Sequence, residues 1–254
     1  MNETTDRFRL DGDVVVVTGG GSGIGKTLAA AYADVGATVI ITDANEEAAE
    51  LAAAEVGHGA TAVAIDVTNE ASVTDGFARI ADEHGKLDVL FNNAGVNRRV
   101  KTTELSMADW QLVIAVNMTG SMLAARAAAA IMFTGGGGRI VNTASALGLS
   151  GGWYPNLAYQ ATKGAVVNMT RSLAVEWGPQ NIRVNAVAPS LVRTPFIKAI
   201  TDQPDQVKFF EGLSPLGRIG DVEDLIGPVI FLSSRSSDFV TGHILLVDGG
   251  LMAS

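Results

Sequence analysis

The chain has 254 residues, 47% hydrophobic and 18% charged, with no cysteine and a net charge of −9. That length and apolar content suit one α/β domain with a sizeable core. The composition excludes disulfides, thiol catalysis and cysteine-ligated zinc, and the acidic balance repels nucleic acid and anionic membrane. No apolar run approaches the ~18 residues of a membrane span, and residues 1–12 carry no apolar signal core. The expectation is a cytoplasmic protein with a small-molecule substrate and no membrane or nucleic-acid partner.

Residues 14–17 read as a buried strand and residues 28–33 as a helix, with a glycine-rich turn between them. Such a turn lets the backbone approach a phosphate, and the helix start offers unpaired N–H groups and partial positive charge. Two spacings compete in it. Gly20 through Gly25-Lys26-Thr27 matches the P-loop pattern of ATP- and GTP-binding proteins, whereas Thr18-Gly19-x-x-x-Gly23-Ile24-Gly25, which is not the literal G-x-G-x-x-G, resembles the cofactor turn of the short-chain dehydrogenase/reductase family. Residues 38–42 form the second strand and Asp43 ends it. A carboxylate there, about 20 residues after the turn, suits the ribose hydroxyls of a dinucleotide. Asp66, after an apolar run, imitates the metal-holding acid of a P-loop protein and leaves that alternative open.

A helix over 46–56, a strand over 61–65, a helix over 70–83 and a strand over 87–91 follow. One long helix is expected over 106–133, stopped by glycines, then a strand over 139–143, a helix over 157–177 and a strand over 182–187. The chain closes with a helix over 221–233 and a strand over 243–247. This alternation predicts a single domain over 1–254, a parallel seven-stranded sheet with helices on both faces. Residues 190–220 interrupt it with three prolines and read as a substrate lid bearing short helices at 196–200 and 207–213.

Tyr159 and Lys163 lie four residues apart in an expected helix, so phenol and ammonium share a face. A nearby cation lowers a phenol from about 10 by ~1–3 units, which suits general acid–base work. Ser145 follows the fifth strand, where a hydroxyl can hold a substrate oxygen against Tyr159. Ser150, deeper in the loop, is the weaker competitor. Asn92-Asn93-Ala94-Gly95 follows the fourth strand and suits close cofactor approach. Asn117 sits within the long helix, unfavourable for an amide without a task, and could hold a water linking Lys163 to solvent. His58, His84 and His243 are scattered, so no metal site is expected.

These pieces, together with Asp66-Val67, Asn185-Ala-Val-Ala-Pro189 and Val247-Asp-Gly-Gly250, resemble the short-chain dehydrogenase/reductase family over essentially the full length. The resemblance implies a Rossmann-type, doubly wound α/β fold and hydride transfer with a nicotinamide. It implies that Tyr159 is the acid/base, that Lys163 holds the nicotinamide ribose and tunes the phenol, that Ser145 positions the substrate oxygen, and that Asn117 completes a proton relay. Gly19, Ser22, Gly23, Ile24 and Gly25 would cradle the cofactor, Asp66 and Val67 flank its adenine, Asn93, Ala94 and Gly95 line its cleft, and Pro189, Val192 and Thr194 take its carboxamide end. Ser190 and Ala144 depart from the family's usual Gly and Ser. Asp43, with Ser22 where NADP-preferring relatives carry a basic residue, favours NAD over NADP.

The C-terminal third and the Arg98-Arg99 pair resemble gluconate 5-dehydrogenases and polyol dehydrogenases. This implies a sugar-acid, sugar or polyol secondary alcohol, with Asn97, Arg98 and Trp153 beside Ser145 and Tyr159 as substrate residues. Trp153, Tyr154, Leu191, Phe196 and Ile197 could instead build an apolar pocket for a 3-oxoacyl thioester or a cyclic ketone. Relatives are mostly tetramers, so a homotetramer is expected. A non-enzymatic NAD(H) sensor on the same fold is the remote alternative.

Overall fold

The structure, a computed structural model, describes residues 3–253. A short helix α1 (Glu3–Asp6) precedes strand β1 (Val14–Thr18), all of whose residues are buried. Then come α2 (Gly23–Asp34), β2 (Thr38–Asp43), α3 (Glu46–Val56), β3 (Thr61–Ala64), α4 (Glu70–His84) and β4 (Val89–Asn92). Asn45 and Asn69 start α3 and α4 by accepting from the backbone N–H of Ala48 and of Ala71 and Ser72, which satisfies donors the helices leave free.

The single helix expected over 106–133 is two helices: α5 (Met107–Ile114) runs through a π-helical turn, Ala115–Gly120, into α6 (Ser121–Gly135). The remaining elements are β5 (Gly138–Thr143), α7 (Leu157–Trp177), β6 (Ile182–Pro189), α8 (Lys198–Thr201), α9 (Pro204–Leu213), α10 (Ile226–Ser233) and β7 (Ile244–Val247). The expected helix over 221–233 begins as a 3-10 turn, Val222–Leu225.

All seven strands are parallel, in the order β3-β2-β1-β4-β5-β6-β7. Side chains alternate across the sheet. Val15, Val17, Val39 and Ile41 pack with Leu28, Tyr32 and Ala49 of α2 and α3 on one face. Val14, Val16, Ile40 and Leu90 pack with Phe77 of α4 and Leu123, Ala128 and Met132 of α6 on the other. Helices on both faces explain why the strands are unbroken apolar runs rather than alternating ones. Contrary to the reading of apolar runs, Met107–Gly135 is long and apolar enough to cross a membrane by length and composition, with a hydropathy of 1.4; half of that window is buried. Its buried side packs against the sheet, as a core helix does.

Candidate active site

Strand order runs outward from β1 in both directions, through β2 on one side and β4 on the other. The connections diverge there and leave a crevice beyond the carboxyl ends of the strands. Gly19, Ser22, Gly23 and Ile24 line it after β1, Asp43 at the end of β2, Asn93 and Gly95 after β4, Ser145 after β5, and Pro189, Val192 and Thr194 after β6. Gly19 has φ +61, and a Cβ there would sit 2.8 Å from Ala94 Cα. Gly25 lies beneath the turn, where a Cβ would run into the Gly19 carbonyl. Glycine is required at both positions.

Two side chains hold the turn in place. Asn93 donates from Nδ2 to the carbonyls of Thr18, at 3.1 Å, and Gly19, at 3.2 Å. The Asp43 carboxylate accepts from the Gly21 N–H at 3.1 Å and the Asn45 N–H at 3.0 Å. Lys26 turns away to pair with Glu55 on α3, so the P-loop alternative lacks its phosphate-binding lysine. A smaller adjoining pocket gathers Asp43, Asp66, Val67 and Ala94. Asp66 Oδ1 there accepts from the N–H and hydroxyl of Thr68, at 2.9 and 2.7 Å.

Ser145, Tyr159 and Lys163 meet in the main crevice. Ser145 caps a 3-10 turn, its Oγ accepting from the Leu147 N–H at 3.2 Å, while Ser150 bonds the Ala146 carbonyl within its own loop. Lys163 is buried, donates to the Thr143 carbonyl at 2.6 Å and lies 5.5 Å from the Tyr159 ring centre. Burial pushes the Lys163 ammonium down to about 8. Burial also pushes the Tyr159 phenol up to about 12, against the opposing pull of the Ser145 hydroxyl and Arg99. The expected net lowering of the phenol is therefore reversed: desolvation of the phenolate outweighs its neighbours.

Asn117 is fully buried in the π-helical turn. Its Oδ1 accepts from the Val96 N–H at 2.8 Å, and its Nδ2 donates to the Val96 carbonyl at 2.9 Å and to Thr162 Oγ1 at 3.2 Å. Both Nδ2 protons are thus used to clamp the loop after β4 to α7, while Oδ1 keeps a second lone pair. Asn117 Oδ1 and Lys163 Nζ would flank a Cβ at Gly95, at 3.5 and 3.8 Å.

Sequence reasoning missed the polar ladder behind the site. Asn92 donates to Asn142 at 3.1 Å, and Asn142 to Thr170 on α7 at 3.0 Å. The available signal is that each asparagine breaks an apolar strand near its carboxyl end, and the two are register partners.

At the substrate end, Asn97, Arg99 and Trp153 line the crevice. Arg98 does not; its guanidinium pairs with Asp109 at 2.8 Å on the far side of the loop. Of the two arginines, the one lining the crevice is Arg99. It lies 5.9 Å from the Tyr154 ring centre and 5.8 Å from that of Phe196. Leu191, Phe196, Ile197 and Phe210 supply an apolar wall from residues 190–220. This segment is closed at its base by the Arg193 N–H donating to the Gly220 carbonyl at 2.8 Å.

A family model described as enoyl-(acyl carrier protein) reductase matches residues 19–252. Gluconate 5-dehydrogenase of Gluconobacter oxydans is 37% identical over 253 residues, covering 98% of each chain. D-threitol dehydrogenase of Mycolicibacterium smegmatis is 39% identical over 248 residues, covering 96% of this chain and 94% of its own. The crystal structure of a gluconate 5-dehydrogenase from Burkholderia cenocepacia in complex with NADP and tartrate matches with a TM-score of 0.96 at 36% identity, covering 99% of this chain and 100% of that one.

Proposed function

Because the chain belongs to the short-chain dehydrogenase/reductase family and is an oxidoreductase of CH–OH groups, we propose that it interconverts a secondary alcohol and ketone of a sugar acid, sugar or polyol, with Tyr159 as general acid and base. The carrying observation is the meeting of Ser145, Tyr159 and Lys163 in the crevice that the glycine turn opens. A nicotinamide dinucleotide bound there takes up or supplies the hydride. The residues present fit it: a Cβ at Gly19 or Gly25 would collide with Ala94 or with the Gly19 carbonyl, so glycine keeps the turn tight, and the N–H groups at the start of α2 would be available to phosphate.

In reduction, the Tyr159 phenol, protonated at neutral pH, donates to the carbonyl oxygen that Ser145 Oγ holds. In oxidation, the phenolate takes the hydroxyl proton, and the Lys163 ammonium stabilises it. Asn117 acts by holding Val96 and α7 in register. Gly19, Ser22, Gly23, Ile24 and Gly25 would hold the phosphates and Asp43 the adenosine ribose. Asp66 and Val67 would take the adenine, Asn93, Ala94 and Gly95 the cleft wall, and Pro189, Val192 and Thr194 the nicotinamide end.

We assign NAD over NADP because the Asp43 carboxylate at the end of β2 accepts from ribose hydroxyls and repels a 2′-phosphate. NADP is the second reading, favoured by the NADP in the Burkholderia cenocepacia structure. Steady-state kinetics with both cofactors decide: kcat/KM favours NAD, and Asp43→Ala erodes that preference. A wild-type preference for NADP contradicts the assignment. Arg99 takes the place expected of Arg98 as the anchor for a substrate carboxylate. The apolar wall keeps a 3-oxoacyl thioester or cyclic ketone as the alternative substrate. Residues 190–220 serve as the lid. Exposed Met122 and Phe133 on α6 and Val175 on α7 support association of copies, which we take as a homotetramer.

A further inference from the structure

We infer that Gly148 is a positioning residue for the reaction: lacking a side chain, it lets the turn that bears Ser145 rest on the backbone of α7 at Lys163, and so sets the Ser145 hydroxyl against the Tyr159 phenol. This rests on the secondary-alcohol reading above and adds to it a residue that does not itself line the crevice.

A Cβ at Gly148 would sit 2.6 Å from the carbonyl carbon of Lys163, 2.7 Å from its oxygen and 2.9 Å from the Gly164 nitrogen. All three are backbone atoms, so no side chain can swing aside to make room, and a methyl group there forces one backbone off the other. Gly148 is not among the glycines with positive φ. Space, not backbone conformation, demands glycine at this position. The same contact seen from the helix is relaxed: a Cβ at Gly164 would meet only the Gly148 carbonyl, at 3.5 Å.

Of the two backbones, the turn is the one that yields. The helix is anchored on several sides: Thr162 to Asn117 at 3.2 Å, Lys163 to the Thr143 carbonyl at 2.6 Å, Thr170 to Asn142 at 3.0 Å, and Val166 and Val167 in a buried cluster with Ala144, Ala186 and Ala188. The 3-10 turn Ala146–Gly148 is three residues long and runs out to exposed Leu149 and Gly151. It carries Ser145 with it, because the Gly148 N–H donates to the Ser145 carbonyl at 2.9 Å and the Leu147 N–H to Ser145 Oγ at 3.2 Å. The Ser145 hydroxyl hydrogen-bonds the Tyr159 phenol and pulls its ionisation down. Lifting the turn off α7 therefore parts the hydroxyl that holds the substrate oxygen from the phenol that exchanges its proton, while the residues of the glycine turn stay where they are.

The test measures kcat, KM and NADH affinity in wild type, Gly148→Ala, Gly164→Ala, Ser145→Ala and the Ser145→Ala/Gly148→Ala double variant, on the polyol or sugar acid that wild type turns over fastest. Gly148→Ala lowers kcat by about ten- to a hundredfold, the cost of a misplaced reacting group, and keeps NADH affinity within about twofold. Gly164→Ala, whose methyl group fits, keeps kcat within about threefold of wild type. With Ser145 already removed, Gly148→Ala has no hydroxyl to displace, so the double variant stays within about threefold of Ser145→Ala. A Gly148→Ala chain as active as wild type, one that no longer binds NADH, a loss confined to KM, a matching loss in Gly164→Ala, or losses that multiply in the double variant overturn the inference. A wild type that turns over no secondary alcohol or ketone at all overturns the underlying reading instead.

Discussion

Tyr159 and Lys163 are each displaced by burial from their ordinary ionisation, and in opposite senses: the phenol sits at about 12 and the ammonium at about 8. The neutral phenol suits proton donation, so carbonyl reduction proceeds at neutral pH. Alcohol oxidation needs the phenolate, whose fraction rises tenfold per pH unit below the pKa. The log of kcat/KM for oxidation therefore climbs with pH up to about 8 and levels off above it, where the Lys163 ammonium loses its proton as the phenolate gains; a profile already flat below pH 8 contradicts Tyr159 as the base. Stability carries the Lys163 signature. Between about 8 and the ordinary 10.5 the unfolded chain holds more protons than the folded one, so stability rises with pH across that window, by up to about 3 kcal/mol. Lys163→Met flattens that rise in a pH series of denaturant unfolding; an unchanged slope contradicts the buried-ammonium account. The spacing of Tyr159 and Lys163 is legible in the sequence because helical periodicity puts i and i+4 on one face. The direction of the phenol's shift is not, because burial comes from distant segments such as residues 190–220. The sequence does not distinguish Arg98 from Arg99 either, because composition gives no sign of which side of the loop faces the crevice.

The glycine turn and the start of α2 behave as one element. Gly19→Ala adds a Cβ 2.8 Å from Ala94 Cα at a φ of +61. It lowers stability by at least about 1 kcal/mol and weakens NADH binding measured by fluorescence titration; an Ala variant that binds NADH as wild type does contradicts the cradle. Lys26→Ala leaves NADH affinity within about twofold, because an exposed ion pair with Glu55 carries little energy. A large loss would revive a phosphate role for Lys26. The sequence offers both spacings in this turn and favours the dinucleotide one through Asp43; the fold adds the reason Lys26 is not a phosphate ligand, by placing Glu55 within its reach. The π-helical turn at Ala115–Gly120 was half legible. An asparagine inside an apolar helix signals a task, but the extra residue in the turn and the clamp on Val96 depend on contacts across the fold.

At the scale of the whole molecule, the seven parallel strands were legible because strands buried on both faces appear as short apolar runs bounded by glycine and polar residues. Their order places every strand end that bears a site residue along one crevice. The polar ladder through Asn92, Asn142 and Thr170 was not legible as a unit, since its members are far apart in sequence and meet only once β4 and β5 pair. Assembly is measured by light scattering: a mass near four chains supports the homotetramer, and a monomer contradicts it. The central claim is tested most directly by following nicotinamide absorbance with a panel of polyols, sugar acids and cyclic alcohols, and their ketones, in wild type and Tyr159→Phe. Wild type turns over at least one of them, Tyr159→Phe loses at least about a hundredfold, and both bind NADH. Turnover that survives in Tyr159→Phe, or NADH binding without turnover of any substrate in either direction, would contradict it.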